Sequence, residues 1–302
     1  MAVHDDLGNR MKTYYEAVPK HRLVRRMPVA IRIDGKAFHT FTRGFQKPFD
    51  EVLGNAMVKT MEYLAKNIQG CVFAYQQSDE ITLLLIDYQK LTSSAWFDYQ
   101  TQKMCSIAAS MATMAFNRFF VEEVEHYCSN EYINCAGFND VNRVYSLEEL
   151  KTVDPALYAY HTGIVKGAMF DARVFSIPKE EATNLVYWRQ LDATRNSIQM
   201  VGQANFSHNE LQGKSCNMIQ DMLLTQRDIN WNDYPTRWKR GVACRRFPTD
   251  LKVEEVRKEK EWGEPDVYMK ATQLYEWKID YEMPILKNEG RKYVDEVIFV
   301  GE

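Results

Sequence analysis

Residues 29–41, VAIRIDGKAFHTF, begin as an apolar alternation and change character at an Asp-Gly pair. The alternation of VAIRI is typical of a β-strand, and Asp34 stands where that strand should end. Asp-Gly is a common turn dipeptide, because glycine reaches positive φ without a Cβ clash. The stretch therefore predicts a strand that ends at Asp34, and it leaves open whether Asp34 and Gly35 form only a turn or also bind something.

The elements around this strand indicate its fold. They are a helix over 50–67 with Asp50 as its N-cap, a hairpin over 71–86 with Ser78 and Asp79 at or near its turn, a long helix over 99–126 and a strand over 168–176. The order strand, helix, strand, strand, helix, strand predicts a ferredoxin-like βαββαβ unit, so the fold class is α+β. The second half is predicted to be mainly helical, most clearly over 179–200, with β-like segments at 241–247 and 268–277.

Composition narrows the class of protein. The chain has 302 residues, of which 45% are hydrophobic and 26% are charged, as expected for a globular protein. Its net charge of −3 gives no global reason to expect a nucleic-acid partner, although basic residues gather locally at 20–26 and 237–246. No signal peptide and no apolar run of membrane-spanning length is evident, which predicts a cytoplasmic location without a membrane partner.

The two acidic turns carry the predicted chemistry. If the βαββαβ order holds, the first strand and the hairpin are neighbours in one sheet, so Asp34 and Asp79 could converge on one point. Two such carboxylates repel each other unless a cation joins them, and hard oxygen ligands favour Mg²⁺. Paired carboxylates that hold Mg²⁺ suit phosphoryl or nucleotidyl transfer. Each turn taken alone is more simply a solvated turn.

Several separate segments give a more specific indication. RIDGKAFHTF (32–41), FQKPFD (45–50) and AYQQSDEITLL (74–84) resemble signature segments of the tRNA(His) guanylyltransferase family. Further similarity lies in residues 96–117 and in FDARV (170–174), YWRQLDA (187–193) and RGVACRR (240–246). Enzymes of this family add nucleotides in the 3′-to-5′ direction to the 5′ end of tRNA on a polymerase-type palm. The resemblance thus implies a nucleotidyltransferase whose palm carries additional helices.

The resemblance also implies roles for individual residues. Asp34, Asp79 and the backbone carbonyl of Gly35 would hold two Mg²⁺ ions. The implied contacts of the nucleoside triphosphate, GTP or ATP, are Asp34, Gly35, Lys36, Ala37, Phe38, His39, Lys47, Ser78, Asp79 and Lys103. Lys47 and Lys103 match positions that face triphosphate oxygens, although from the sequence alone both would be interpreted as solvated lysines.

One motif departs from the family pattern. Members dedicated to histidine tRNA carry His-Ile-Asn-Asn where this chain has Thr194-Arg195-Asn196-Ser197. The replacement resembles the bacterial and archaeal branch that repairs 5′-truncated tRNAs by copying the opposite strand, so repair ranks above guanylate addition specific to histidine tRNA. Five residues are candidates for tRNA contacts: Arg189, Arg195, Asn196, Arg240 and Arg245. The resemblance further implies a homotetramer.

The sequence leaves the role of the C-terminal residues and the class of activity open. The charge-rich segment 251–266 suggests a boundary, which divides the chain into a palm-like catalytic domain with helical additions over 1–250 and a C-terminal extension over 251–302 of unknown role. Nucleotide cyclases and dinucleotide synthases also place carboxylates on a ferredoxin-like sheet. A tRNA-binding protein without catalytic activity is the alternative of another class.

Overall fold

The computed structural model describes residues 5–134, 147–258 and 266–301. Within these ranges a six-stranded antiparallel sheet carries helices on both faces. The strands are β1 (Val29–Gly35), β2 (Cys71–Gln77), β3 (Glu80–Leu85), β4 (Phe170–Ser176), β5 (Val242–Lys258) and β6 (Asp266–Asp280). The α-helices are α1 (Asp6–Met11), α2 (Phe38–Phe41), α3 (Glu51–Asn67), α4 (Thr101–Asn134), α5 (Leu147–Val153), α6 (Pro155–Lys166), α7 (Lys179–Asn205), α8 (His208–Leu211), α9 (Cys216–Arg227), α10 (Thr236–Arg240) and α11 (Lys292–Ile298).

The first four strands form the predicted βαββαβ unit. Their order in the sheet is β4-β1-β3-β2, and every neighbouring pair is antiparallel. Helix α3 connects β1 to β2, and α4 lies in the connection from β3 to β4, as the ferredoxin-like pattern requires. The α+β class predicted from the sequence is confirmed. Strands β5 and β6 extend the same sheet beyond β2.

The alternation along β1 separates two buried cores. Ile31 and Ile33 pack with α3 and α4 on one face, whereas Ala30 packs on the other face with residues of α7 and α11. Because side chains alternate along a strand, Arg32 and Asp34 share the face of Ala30. The charged end of β1 therefore belongs to the α7 side of the sheet.

Local hydrogen bonds fix the elements around the end of β1. Asp50 accepts a hydrogen bond from Leu53 N at 2.8 Å, which confirms it as the N-cap of α3. On α4, the amide side chain of Asn117 donates to Ala168 O at 2.9 Å and accepts from Ala168 N at 2.8 Å. That pair of bonds anchors the chain just before β4.

Helix α4 is long and apolar enough to span a membrane by length and composition over Thr101–Ser129. Its fully buried residues Ala108, Ala112 and Phe116 instead belong to the core that α3 and β1 share. One face of α4 is thus part of the protein core, and the length and composition of a single helix are by themselves weak evidence for a membrane span.

The C-terminal residues do not form a separate extension. Strand β5 runs through the predicted boundary at 250, and β6 pairs back along it as far as Ala243↔Asp280. Helix α11 then docks on the sheet, where the Tyr88 hydroxyl donates to Ile298 O at 2.9 Å. The sequence prediction misjudged this region because charged residues occupy a long two-stranded ribbon. Residues 259–265 of the charge-rich segment lie outside the described ranges.

This packing predicts that α11 stabilises the whole domain. Ile298 is fully buried against the α7 side of the sheet. Ile298→Ala is expected to reduce the free energy of unfolding by about 2–5 kcal/mol, because it leaves a cavity in that core. Its neighbour Phe299 is 51% exposed, so Phe299→Ala should change stability by only about 0.5 kcal/mol. Urea denaturation measures both, and equal, small losses would mean that α11 is an appendage.

Candidate functional site

The two predicted aspartates meet where β1 and the β2–β3 hairpin end. Asp34 pairs with Glu80 in the register of β1 and β3, and Asp79 directly precedes Glu80. Gly35 N donates to Asp79 O at 3.1 Å, so the backbone joins the two turns. Ser78 has a φ of 50°, and this left-handed turn residue lets the hairpin reverse immediately before Asp79. The structure thus brings both acidic turns to one corner of the sheet.

The charges of this corner are unevenly compensated. Burial is the largest cause that raises the pKa of Asp79, the nearby charge of Asp34 raises it further, and the Ser78 side chain and His39 oppose the rise. Glu80, one residue on, faces α7 and forms an ion pair with Arg189 at 2.6 Å. Burial raises the pKa of Glu80 too, and the charge of Arg189 opposes that rise. The charge of Asp34 therefore disfavours the charged form of Asp79, beside a carboxylate, Glu80, that has a cation.

The raised pKa predicts a stability that depends on pH and on divalent cations. A carboxyl group whose pKa is raised by folding contributes stability below its unfolded pKa and loses it as the pH rises through the folded pKa. Without divalent cations, Asp79→Asn should therefore raise Tm at neutral pH, by roughly 2 °C for each kcal/mol gained. The difference should vanish in acid, where Asp79 is protonated.

Added Mg²⁺ should give the unaltered chain the higher Tm, because Mg²⁺ would bind only the folded chain that has both carboxylates. Thermal unfolding of both proteins at several pH values, with and without Mg²⁺, measures this. A Tm of Asp79→Asn below that of the unaltered chain at neutral pH without divalent cations would contradict the raised pKa of Asp79.

A cavity of about 670 Å³ opens beside the hairpin turn, between α2, α3 and the last turns of α7. Seven of the residues predicted to bind nucleotide line it: Gly35, Ala37, Phe38, His39, Lys47, Ser78 and Asp79. Asp34 precedes Gly35 and is not itself part of the lining. A Cβ on Gly35 would lie 2.3 Å from Phe38 Cδ2, so only glycine fits at this close approach of backbone and ring.

The donor set suits a hard divalent cation. The side chains of Asp34 and Asp79 supply carboxylate oxygens, and the intervening backbone of Gly35 supplies a carbonyl. Across the residues that the structure describes, no group of three or more His, Cys, Asp or Glu side chains converges as a metal site would require. Backbone and substrate oxygens would therefore have to complete the coordination, as Mg²⁺ bound to phosphates commonly requires. The residues present fit Mg²⁺ in that form.

The sequence did not indicate the rest of the cavity wall. Arg43 lines it near Lys47 and adds a cation, whereas Met200 and Gln203 reach it from α7. Asp50 also lines it, but its carboxylate accepts hydrogen bonds from Leu53 N, Gln46 N and the Tyr160 hydroxyl. The stretch around Arg43 could have been suspected because it lies between two signature segments. No sequence signal connects the end of α7 with this cavity.

Two of the predicted nucleotide contacts lie elsewhere. Lys36 donates its backbone N–H to Met169 O at 2.8 Å and lines a separate hollow. Lys103 lies 4.8 Å from the Phe97 ring centroid. The Thr113 hydroxyl of α4 accepts a hydrogen bond from Phe170 N, and Phe170 pairs with Gly35 across the sheet, so Thr113 marks the level of Gly35 on the helix. Lys103 precedes Thr113 by ten residues, which span about 15 Å of α4. The structure does not bring Lys103 to the cavity, because α4 points it toward the opposite end of β1.

Two of the candidate tRNA contacts are occupied by internal partners. Arg189 is 7% exposed, and its guanidinium binds Glu80 and Asp192. Arg245 donates to Tyr293 O at 2.7 Å and so fastens α11 to β5. Neither guanidinium is available to a phosphate in this structure, so the predicted tRNA contacts of Arg189 and Arg245 are not supported. The sequence could not reveal that these two side chains are buried against internal partners.

The remaining three tRNA candidates differ in position. Arg195 is exposed on α7 and pairs with Asp192. Asn196 lines a second, smaller cavity between α7, α3 and α10. The side chain of Arg240 is half-buried, and its backbone carbonyl accepts a hydrogen bond from the Tyr75 hydroxyl at 2.5 Å. Of the five candidates, Arg195 has the most accessible charge.

Comparison with known proteins adds an independent line of argument. The family model described as tRNA(His) guanylyltransferase matches residues 8–178. A solved bacterial tRNA(His) guanylyltransferase-like protein in complex with ATP is 36% identical with a TM-score of 0.70, over 97% of this chain and 100% of that one. A complex of such a bacterial protein with GTP is 33% identical with a TM-score of 0.65, over 98% and 100% of the two chains. The tRNA(His) guanylyltransferase of Kluyveromyces lactis is 24% identical over 70% of this chain and 80% of its own.

Proposed function

The chain belongs to the tRNA(His) guanylyltransferase family, and on that premise we propose that it is a Mg²⁺-dependent 3′-to-5′ nucleotidyltransferase that repairs 5′-truncated tRNA by copying the opposite strand. That the chain is a nucleotidyltransferase of the tRNA guanylyltransferase kind follows from the family itself. The direction of addition, the metal and the repair substrate are the proposal. Its main support is the approach of Asp34 to Asp79, since Asp79 lines a cavity that also holds the cationic side chains of Arg43 and Lys47.

Different residues of the chain would bind the triphosphate and the metal ions. Lys47, Arg43 and His39 line the cavity, where the charges of the lysine and the arginine would bind the triphosphate of GTP or another nucleoside triphosphate. ATP would serve the same site during activation of a 5′-monophosphate. Asp34, Asp79 and the Gly35 carbonyl would hold two Mg²⁺ ions, which lower the pKa of an attacking hydroxyl and neutralise charge on the leaving group.

The bonds change at the 5′ end of the RNA. The 3′ oxygen of the incoming nucleotide forms a bond to the 5′ phosphorus and loses its proton, and the bond from that phosphorus to AMP or pyrophosphate breaks. Catalysis of this kind depends on positioning and charge rather than on covalent chemistry by the protein. Base pairing of the incoming nucleotide with the facing strand would supply the template.

The choice of repair rests on the segment that replaces His-Ile-Asn-Asn. The Thr194 hydroxyl donates to Lys239 O at 3.0 Å, and the Ser197 hydroxyl accepts from the indole N–H of Trp231 at 3.0 Å. These side chains lock α7 to the segment around α10, so they are committed to packing. The alternative is guanylate addition specific to histidine tRNA, whose motif retains only Asn196 here.

The proposal includes a cytoplasmic homo-oligomer, a tetramer by analogy with the family. An oligomer would also reconcile a chain of net charge −3 with an RNA substrate, because copies could join local basic patches into one surface. Sedimentation of the purified protein measures its state of assembly.

A comparison of two RNAs tests the proposal. Purified protein is incubated with labelled GTP, ATP and Mg²⁺, together with either histidine tRNA or a non-histidine tRNA that lacks its 5′-terminal nucleotide. Repair predicts comparable addition to both RNAs, with the added base complementary to the facing one. Strict preference for histidine tRNA would favour the alternative. Turnover of GTP without RNA would indicate a cyclase, and binding of tRNA with no addition would indicate a non-catalytic protein.

A further inference from the structure

Trp188 is placed unusually for a tryptophan in the middle of a packed helix. Its neighbours Ala182, Leu185 and Val186 on α7 are buried against the sheet, whereas Trp188 is 51% exposed. Leu191, three residues later and hence beside it on the helix surface, is also 51% exposed. The two side chains form an exposed apolar surface, called here the Trp188 surface.

Two arginines contact the Trp188 ring and connect this surface with the end of β1. The guanidinium carbons of Arg32 and Arg189 lie 5.8 and 4.4 Å from the centroid of the Trp188 ring. Arg32 stands two residues before Asp34 on the same face of β1, which separates their Cα atoms by about 7 Å. Arg189 binds Glu80, which pairs with Asp34 across the strands. The Trp188 surface therefore lies on the α7 face of the sheet, and the side chains of Arg32 and Arg189 connect it to the strand ends that carry Asp34 and Glu80.

The Trp188 surface is separate from the nucleotide cavity. Trp188 and Leu191 are not part of the cavity lining, which consists of residues from the end of β1, α2, the segment between α2 and α3, the start of α3, the hairpin turn and the end of α7. A reaction that joins a nucleotide to an RNA end needs two substrates to meet at Asp34 and Asp79. If the cavity takes the triphosphate, the second substrate must approach from another side, and the Trp188 surface borders that approach.

We propose that Trp188 is the stacking surface for the base of the 5′-terminal nucleotide of the acceptor RNA. This inference rests on the proposed function and assigns the second substrate a place. An indole stacks on any base, which suits an enzyme that must accept RNA ends of different sequence. Arg32 contacts the Trp188 ring and its side chain is 20% exposed, so its charge would be available to the terminal phosphate.

A fluorescent base tests the contact directly. A tRNA acceptor duplex with 2-aminopurine at its 5′-terminal position is titrated with the unaltered protein, Trp188→Phe and Trp188→Ala. Stacking should quench the fluorescence with the first two proteins and not with the third. The same duplex with 2-aminopurine at an internal position should respond alike to all three. Equal terminal quenching by Trp188→Ala would overturn the proposal.

Steady-state kinetics add a second readout. Trp188→Ala should raise KM for the RNA by about tenfold, within the roughly 5- to 150-fold range of a lost stack, and leave KM for GTP unchanged. Trp188→Phe should retain most of the affinity. Phe299→Ala, which removes an aromatic ring of equal exposure far from the site, is the matched control. An unchanged KM for RNA in Trp188→Ala would contradict the assignment.

Two outcomes separate this inference from its premise. If the unaltered protein adds no nucleotide, the proposed function fails, yet the fluorescence experiment still reports whether an RNA base stacks on Trp188. If Trp188→Ala lowers the molar mass in sedimentation while the control does not, a second copy of the chain covers the surface, and the RNA assignment is wrong.

Discussion

Asp79→Asn and Asp34→Asn are each expected to reduce nucleotide addition by at least about 1,000-fold, which corresponds to about 4 kcal/mol of lost transition-state stabilisation. The physical reason is that each change removes one of the two charges that would hold the divalent cations beside Gly35 and the cavity. Both variants should fold, because burial and, to a smaller extent, the charge of Asp34 raise the pKa of Asp79, so that neither substitution removes a stabilising charge there. Addition of labelled GTP to truncated tRNA under saturating Mg²⁺ measures the loss.

Asp221→Asn is the matched control for these variants. Asp221 is exposed on α9 and does not line the cavity, so the Asp221→Asn protein should retain its activity. Activity of Asp79→Asn within tenfold of the unaltered protein would exclude a role for this carboxylate in metal-assisted transfer.

The second large effect concerns stability. Arg189→Met is expected to reduce the free energy of unfolding by about 3–5 kcal/mol, because it leaves the 5%-exposed Glu80 without its closest cation. Arg32, at 3.8 Å from Glu80, is too distant to replace the 2.6 Å contact. Urea denaturation followed by circular dichroism measures the change.

Two further variants make the interpretation specific. Arg195 also pairs with Asp192, yet its side chain is 61% exposed, so Arg195→Met should change stability by less than about 1 kcal/mol. The double variant Glu80→Gln with Arg189→Met should recover part of the loss, since no buried charge remains unpaired. A single Arg189→Met as stable as the unaltered chain would show that the pair does not tie α7 to β3.

Neighbouring carboxylates thus have different environments for a structural reason. The side chain of Glu80 faces α7, where Arg189 meets it, whereas Asp79 belongs to the turn beside the cavity. The buried pair fixes β3 against α7, and that placement sets the position of the turn immediately before it. The corner that carries Asp34 and Asp79 is consequently held in place by the ion pair of Glu80 with Arg189, one residue away from Asp79.

The sequence predicted the sheet that brings Asp34 and Asp79 together, because the alternation of VAIRI and the polar turn of the hairpin are local signals. It also predicted the N-cap Asp50 from residues close in the chain. Contacts between distant elements carried no such signal. The ion pair of Arg189 with Glu80 spans 109 positions, so Arg189 was interpreted as a phosphate contact. The positions of Met200 and Gln203 in the cavity wall were not predicted for the same reason.

The sequence also did not predict where a residue lies along a long helix or strand. Lys103 matches a family position, but the pitch of α4 carries it about 15 Å from the helix turn beside Gly35. The boundary expected at 250 failed because charge on an antiparallel ribbon resembles charge in a linker. Register and core packing, as in the contact of Tyr88 with Ile298, decide between those readings.

Anomalous diffraction from crystals soaked with Mn²⁺ and a non-hydrolysable GTP analogue tests the central claim most directly. The structure predicts manganese peaks within coordination distance of the Asp34 and Asp79 carboxylates, beside the Gly35 carbonyl and the triphosphate in the cavity. Asp79→Asn crystals should lack or weaken those peaks. Ordered triphosphate in the cavity with no manganese at either aspartate would contradict the assignment of this corner as a shared cation site.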